Sequence, residues 1–130
     1  MVSVKSHKDL LVWQKAMALA AGIYRMSKQM PRTEEYRMTS QLLRAVVSIP
    51  ANIAEGHARG TRKDYANFIS IARGSTAELE TLLLLCGEAG LIAQDSVDPL
   101  LAGLPVALRR TAPPGAQSES LPARRPPTAS

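Results

Sequence analysis

The sequence is poor in the residues that hold small β-rich or disulfide-bonded domains together. A single cysteine, Cys86, stands among 130 residues, so neither an intrachain disulfide nor a multi-cysteine zinc site can form. One cysteine also suits a reducing compartment, and the expected location is the cytoplasm. Aromatics supply only 4% of the chain (Trp13, Tyr24, Tyr36, Tyr65 and Phe68). Sandwiches and barrels draw on aromatic and β-branched residues, so an all-β fold is disfavoured. No apolar run approaches the roughly 18 residues of a membrane span. The first ten residues are polar and lack the apolar segment of a secretory signal. No membrane partner is expected.

Catalytic and metal-binding patterns are equally sparse. The two histidines, His7 and His57, lie 50 residues apart. Di-iron bundles need Glu-x-x-His pairs on facing helices, and the chain has none. Glu55 and His57 are two residues apart and diverge by about 200° on a helix. No strand pattern precedes a glycine-rich loop that could cradle phosphate. Cys86 falls on an apolar helical stripe, where a core thiol is the expected role. Neither a catalytic residue nor a cofactor is expected, and the chain reads as a non-enzyme.

What the chain does have is a core-forming composition, 45% hydrophobic against 21% charged, and a mass of 14.0 kDa that fits one domain. Its net charge of +5 is unevenly spread. Residues 1–73 carry twelve Lys/Arg against five Asp/Glu, a net of +7, whereas residues 74–98 carry five acids and no base. A surface divided in this way suits nucleic-acid contact and suits head-to-tail self-association equally.

Helical periodicity runs through three long segments. In the first, about 7–30, one apolar series is Leu10, Trp13, Met17, Ala20 and Tyr24, and a second is Val12, Ala16, Leu19, Ile23, Met26 and Met30. Together they cover an arc of about 200°, twice that of a helix with one buried face. Two packing partners, one outside the subunit, would account for this; so would a central position in the domain. The second segment, about 33–58, opens with Thr33, Glu34 and Glu35, acids that favour a helix N-terminus. It carries the stripe Thr39, Leu42, Val46, Ile49, Ile53, with Pro50 inside it and a kink expected nearby. Gly56 and Gly60 are candidate helix ends. The third, about 61–89, is capped by Thr61 or Asp64 and carries Tyr65, Phe68, Ala72, Ser75, Leu79, Leu82 and Cys86 on one face. A weaker fourth helix is expected over 96–110, interrupted by Pro99 and Pro105. The fold class is therefore all-α, an antiparallel up-and-down four-helix bundle over residues 1–111 with an irregular fourth helix. Residues 112–130, rich in proline, are expected to form a disordered tail.

Two polar groups stand out on these helices. Ser48, Asn52, Glu55 and Arg59 follow 4, 3, 4 spacing along one side of helix two, and Glu55–Arg59 is the favourable order for an i, i+4 ion pair. Helix three adds Arg73, Ser75 and Glu78. These residues could line a ligand pocket or a subunit seam. Alternatively, Asn52 and Glu55 serve the backbone groups that Pro50 frees and pair with Arg44 or Arg73. The second group is Arg59, Arg62 and Lys63 at the turn between helices two and three, with Arg37 at the far end of helix two. A phosphate backbone is one use for such groups, and a solvated cluster of loop charges is another.

The runs DLLVWQKAM (9–17), TSQLLRA (39–45), SIPANIAEG (48–56), ARGS (72–75) and ELET (78–81) strongly resemble the 23S ribosomal RNA intervening-sequence protein family over about residues 6–110. The resemblance implies an up-and-down four-helix bundle and, in related proteins, a ring of five subunits. It also implies kinship with the accessory variability proteins of retroelements, which are basic pentameric bundles that bind nucleic acid and a reverse transcriptase. Ser48, Pro50, Asn52, Glu55, Arg73, Ser75 and Glu78 match motif positions and are read, with Arg44, as a structural polar cluster. Pro99, Pro105 and the extension after Thr111 depart from the family pattern. The expected partners are further copies of the chain, forming a pentamer. RNA or DNA held by Arg37, Arg59, Arg62 and Lys63 is the alternative, and another protein is a third.

Overall fold

Capping residues and prolines set where the helices of this chain begin and end. A computed structural model describes residues 6–109. Ser6 opens a short 3₁₀ turn, His7–Asp9, through a reciprocal capping box with Asp9. Leu10 is extended (φ −78°, ψ 124°), so the first long helix, α1, spans Leu11–Ser27 rather than 7–30. Pro31 cannot continue a helix, and the chain turns there. Thr33, Glu34 and Glu35 do start a helical stretch, but not a regular one. Arg32–Glu34 winds as a 3₁₀ turn and Glu35–Thr39 as a wide π turn, with Arg37 outside helical geometry at φ −115°, ψ −105°. Regular helix, α2, begins only at Ser40 and runs to Arg59, continuous through Pro50.

Gly60, at φ +79°, ends α2 in the left-handed region where a β-carbon is strained. Thr61 then caps α3, Arg62–Glu88: its Oγ1 accepts from the Asp64 amide at 3.1 Å and donates to the Asp64 carboxylate at 2.9 Å. Gly56, the other candidate end, lies inside α2, where a β-carbon would sit 2.7 Å from Cβ of Phe68. That approach near the turn, and the Ser48–Ser75 contact farther along, show α2 and α3 running in opposite directions. Gly22 against Leu100, and Gln29 against Ser96, show the same for α1 and the last helix, α4. Among the described residues there is no strand.

The expected fourth helix, 96–110, is corrected by the structure. α4 spans only Gln94–Ala102, and the amide of Gly103 bonds back to the carbonyls of Pro99 and Leu100. Pro105 ends it rather than kinking it, because a proline there has no N–H to continue the ladder. A 3₁₀ turn, Val106–Leu108, follows, and the irregular segment returns Leu104, Pro105 and Leu108 to the core. These residues cover core surface beyond the end of the shortened helix. The expected disordered tail, 112–130, lies outside the described residues.

Core packing follows the sequence stripes closely on α2, where Leu42, Val46, Ile49 and Ile53 are wholly buried. Each such side chain stabilises the fold by about 1.5–3 kcal/mol. On α1 only the series containing Ala16, Leu19, Ile23 and Met26 is buried. Met17 (44% exposed) and Tyr24 (51%) of the other series stand open, so α1 is not a central helix. On α3 the buried face turns slightly from the expected one, taking in Thr76 and Leu83 and leaving Ser75 at its edge.

Two glycines should respond in opposite ways to the same substitution. Gly56→Ala forces a β-carbon against Phe68 and should cost about 1–3 kcal/mol. Gly74→Ala, on the open face of α3 with no atom of the chain within 4 Å, should gain about 0.5–1 kcal/mol from helix propensity. Urea unfolding monitored by circular dichroism measures both.

Candidate functional site

The polar residues of α2 and α3 form two separate clusters. Midway along the hairpin the hydroxyls of Ser48 and Ser75 lie 2.8 Å apart. The Asn52 amide donates to both the carbonyl (2.7 Å) and the hydroxyl (2.9 Å) of Ser48. These three half-buried side chains satisfy one another, and they bridge the helices at one register. Asn52 does not reach the Val46 carbonyl that Pro50 leaves without its helical donor. Nearer the turn, Glu55 pairs with Arg59 at 2.9 Å, and the Arg59 guanidinium lies 5.3 Å from the centre of the Phe68 ring. The expected pairing of Asn52 or Glu55 with Arg44 or Arg73 is therefore not formed. Arg59 is one turn from Glu55, whereas Arg44 is about 16 Å away along the helix.

Arg44 and Glu78 instead face a shallow groove of about 530 Å³ between α2 and α3, shared with Gln41, Ser48 and Ser75. Both are exposed. Arg73 turns to the other side of α3, beside Thr76, Glu80 and Arg109. Of the polar positions read from the sequence, Arg44, Ser48, Ser75 and Glu78 thus come together at one groove, while Glu55 and Arg73 lie apart from it.

The basic candidates divide as well. Arg37 sits 3.8 Å from Glu34 at the start of the α2 segment, and Arg59 is engaged by Glu55. Arg62 and Lys63 are exposed in the first turn of α3. The length of α2, about 30 Å, separates Arg37 from the other three.

Sequence reasoning missed a second groove, of about 390 Å³, between α1 and α4. Its walls are Ala18, Leu19, Gly22, Leu100, Gly103 and Val106, and Lys15 and Arg25 stand at its rim. A β-carbon on Gly22 would lie 3.1 Å from Leu100, so the missing side chain admits α4 at this depth. The readable signal was a pair of small residues, Ala18 and Gly22, between two bases ten positions apart.

Among the described residues no group of His, Cys, Asp and Glu could hold a metal ion, and no helix is long and apolar enough to cross a membrane. Cys86 is fully buried. Burial pushes its thiol pKa above the ordinary 9.0, and the Glu34 carboxylate adds to the shift. A group held neutral in this way favours the fold below the free thiol's pKa, and that contribution disappears as pH rises through the higher folded value. Iodoacetamide at pH 8 should therefore label native protein at least tenfold more slowly than urea-unfolded protein, as counted by intact mass. Equal rates would contradict a core thiol.

Residues 8–106 match the model of the family described as 23S rRNA-intervening sequence protein. A solved structure of a protein of unknown function from the S23 ribosomal protein family of Bacteroides thetaiotaomicron is similar, with a TM-score of 0.67 and 28% identity. The similarity covers 72% of this chain and 87% of that one. Among curated proteins none matches. With most of its length inside the family pattern and the same helical fold, the chain belongs to the 23S rRNA-intervening sequence protein family.

Proposed function

We propose that this protein is a non-catalytic, cytoplasmic assembly subunit that associates with further copies of itself into a closed, ring-like homo-oligomer. The observation that carries this reading is the outer face of α3. Leu84 and Leu85 are 51% and 49% exposed there and Ile71, on the flank, 50%, while the opposite face of the same helix fills the core. Single exposed apolar residues are ordinary, but a helix apolar on both sides has a second surface to cover. Met17 and Tyr24 on α1 repeat the pattern. The division of charge along the sequence, basic through residue 73 and acidic from 74 to 98, gives copies of the chain unlike surfaces to join. Family membership agrees with this reading through the fold, and the number five enters only from the resemblance.

Replacing Leu84 and Leu85 together by Glu tests the surface. Both leucines are about half exposed in the subunit, so covering the rest is worth about 0.8–1.5 kcal/mol each, and the double variant should dissociate at about a tenfold or more higher concentration. Sedimentation velocity of both proteins reads the change; an unchanged distribution would remove α3 from the interface.

A second reading, an accessory role on RNA or DNA, draws on Arg62 and Lys63. They occupy the first turn of α3, where the helix dipole favours acids, and no hydrogen bond or ion pair engages them. Phosphate contact would offset that placement. Fluorescence anisotropy of structured RNA and duplex DNA at two salt concentrations checks it. Binding that weakens steeply with salt and disappears on charge reversal of Arg59, Arg62 and Lys63 is the expected signature. No binding at low salt would leave a protein as the remaining partner.

A further inference from the structure

We infer that the α1–α4 groove of one copy receives the outer stripe of α3 from a second copy, with Lys15 and Arg25 meeting Glu78 and Glu88. This rests on the self-association reading and specifies which surfaces meet. The first observation is spacing. Lys15 and Arg25 are ten residues apart on α1, and Glu78 and Glu88 are ten apart on α3. At 1.5 Å per residue each pair spans about 15 Å, with the same angular offset around its helix. Two helices laid side by side can therefore match both charges at once.

The second observation is shape. Between the two bases, α1 presents the small residues Ala18 and Gly22, set in a groove whose far wall is Leu100, Gly103 and Val106. Between the two acids, α3 presents Thr81, Leu84 and Leu85 to solvent. Leu85 projecting between the acids, with Leu84 at the edge of their arc, fits a hollow bounded by bases, with apolar contact supplying affinity and the charges fixing register. The third observation is availability. Lys15, Arg25, Glu78 and Glu88 are all exposed and make no ion pair or hydrogen bond within the described residues.

Sign also decides the type of symmetry. Two basic grooves repel each other, and so do two acidic stripes, so neither surface pairs with its own copy. The contact is heterologous: each subunit offers a groove to one neighbour and a stripe to another. Repetition of such a contact generates a ring or a filament, not an isolated two-fold dimer.

Charge reversal in pairs tests this on the full chain. Lys15→Glu with Arg25→Glu, and separately Glu78→Lys with Glu88→Lys, are made on exposed sites, and thermal melting confirms that each variant folds. Each variant alone should dissociate at least tenfold more readily than the unaltered protein by sedimentation velocity. An equimolar mixture should form mixed complexes larger than either variant alone, because each acidic surface then meets a basic one; strict alternation closes only even-membered rings, so the size of the unaltered ring need not return. An unaltered protein that assembles while both variants keep its distribution would overturn the inference and leave self-association standing. Dissociation of both variants with no mixed complex in the mixture would also overturn it. A monomeric unaltered protein would remove the self-association reading itself.

Discussion

Near its C-terminal end, α2 lies so close to α3 that a β-carbon on Gly56 would come within 2.7 Å of Phe68. This approach fixes the register of the hairpin, and much else follows from it. With Gly56 set against Tyr65 and Phe68, Ser48 falls opposite Ser75 and their hydroxyls meet at 2.8 Å. Asn52 closes the bridge from the α2 side. The rotation of α3 is then settled: Ala72, Thr76, Leu79, Leu83 and Cys86 turn inward, and Ile71, Glu78, Leu85 and Glu88 turn to solvent. A different helix separation would change which residues of α3 are offered to a partner. The surface proposed to carry assembly is in this sense a consequence of one missing side chain.

α1 and α4 show the same logic in a weaker form. Gly22 lets Leu100 approach α1, and the short α4 leaves a groove instead of a filled interface. Gly103 and Pro105 end α4, and the turn that follows returns Leu104 and Leu108 inward. The irregularity closes the core and shapes one rim of the groove at the same point.

The α2 stripe Leu42, Val46, Ile49 and Ile53 was legible in the sequence because heptad-like spacing of large aliphatics reports burial directly. So were the Thr61 cap and the Glu55–Arg59 pair, which depend on residues three or four positions apart. The beginning of α2 was not. Thr33, Glu34 and Glu35 favour a helix start, but how Arg32–Thr39 winds between 3₁₀ and π geometry is set by the turn from α1, which no local pattern records. The fate of Asn52 was misjudged for a related reason: a freed carbonyl at Val46 is a demand, and Ser48 was a nearer acceptor. Candidate sites were the least legible, because they form between helices. Arg44 and Glu78 share one groove, whereas Arg73, close to them in pattern, lies on the other side of α3. Lys15 and Arg25 look like ordinary surface bases until α4 is placed beside them.

The central claim is that the outer face of α3 and the groove beside α1 are unfinished surfaces that copies of this chain complete for one another. Multi-angle light scattering of the full chain at micromolar concentration tests it most directly. The account predicts a mass that is a whole-number multiple, three or greater, of the 14.0 kDa subunit. A single species at 14.0 kDa across that concentration range would contradict it.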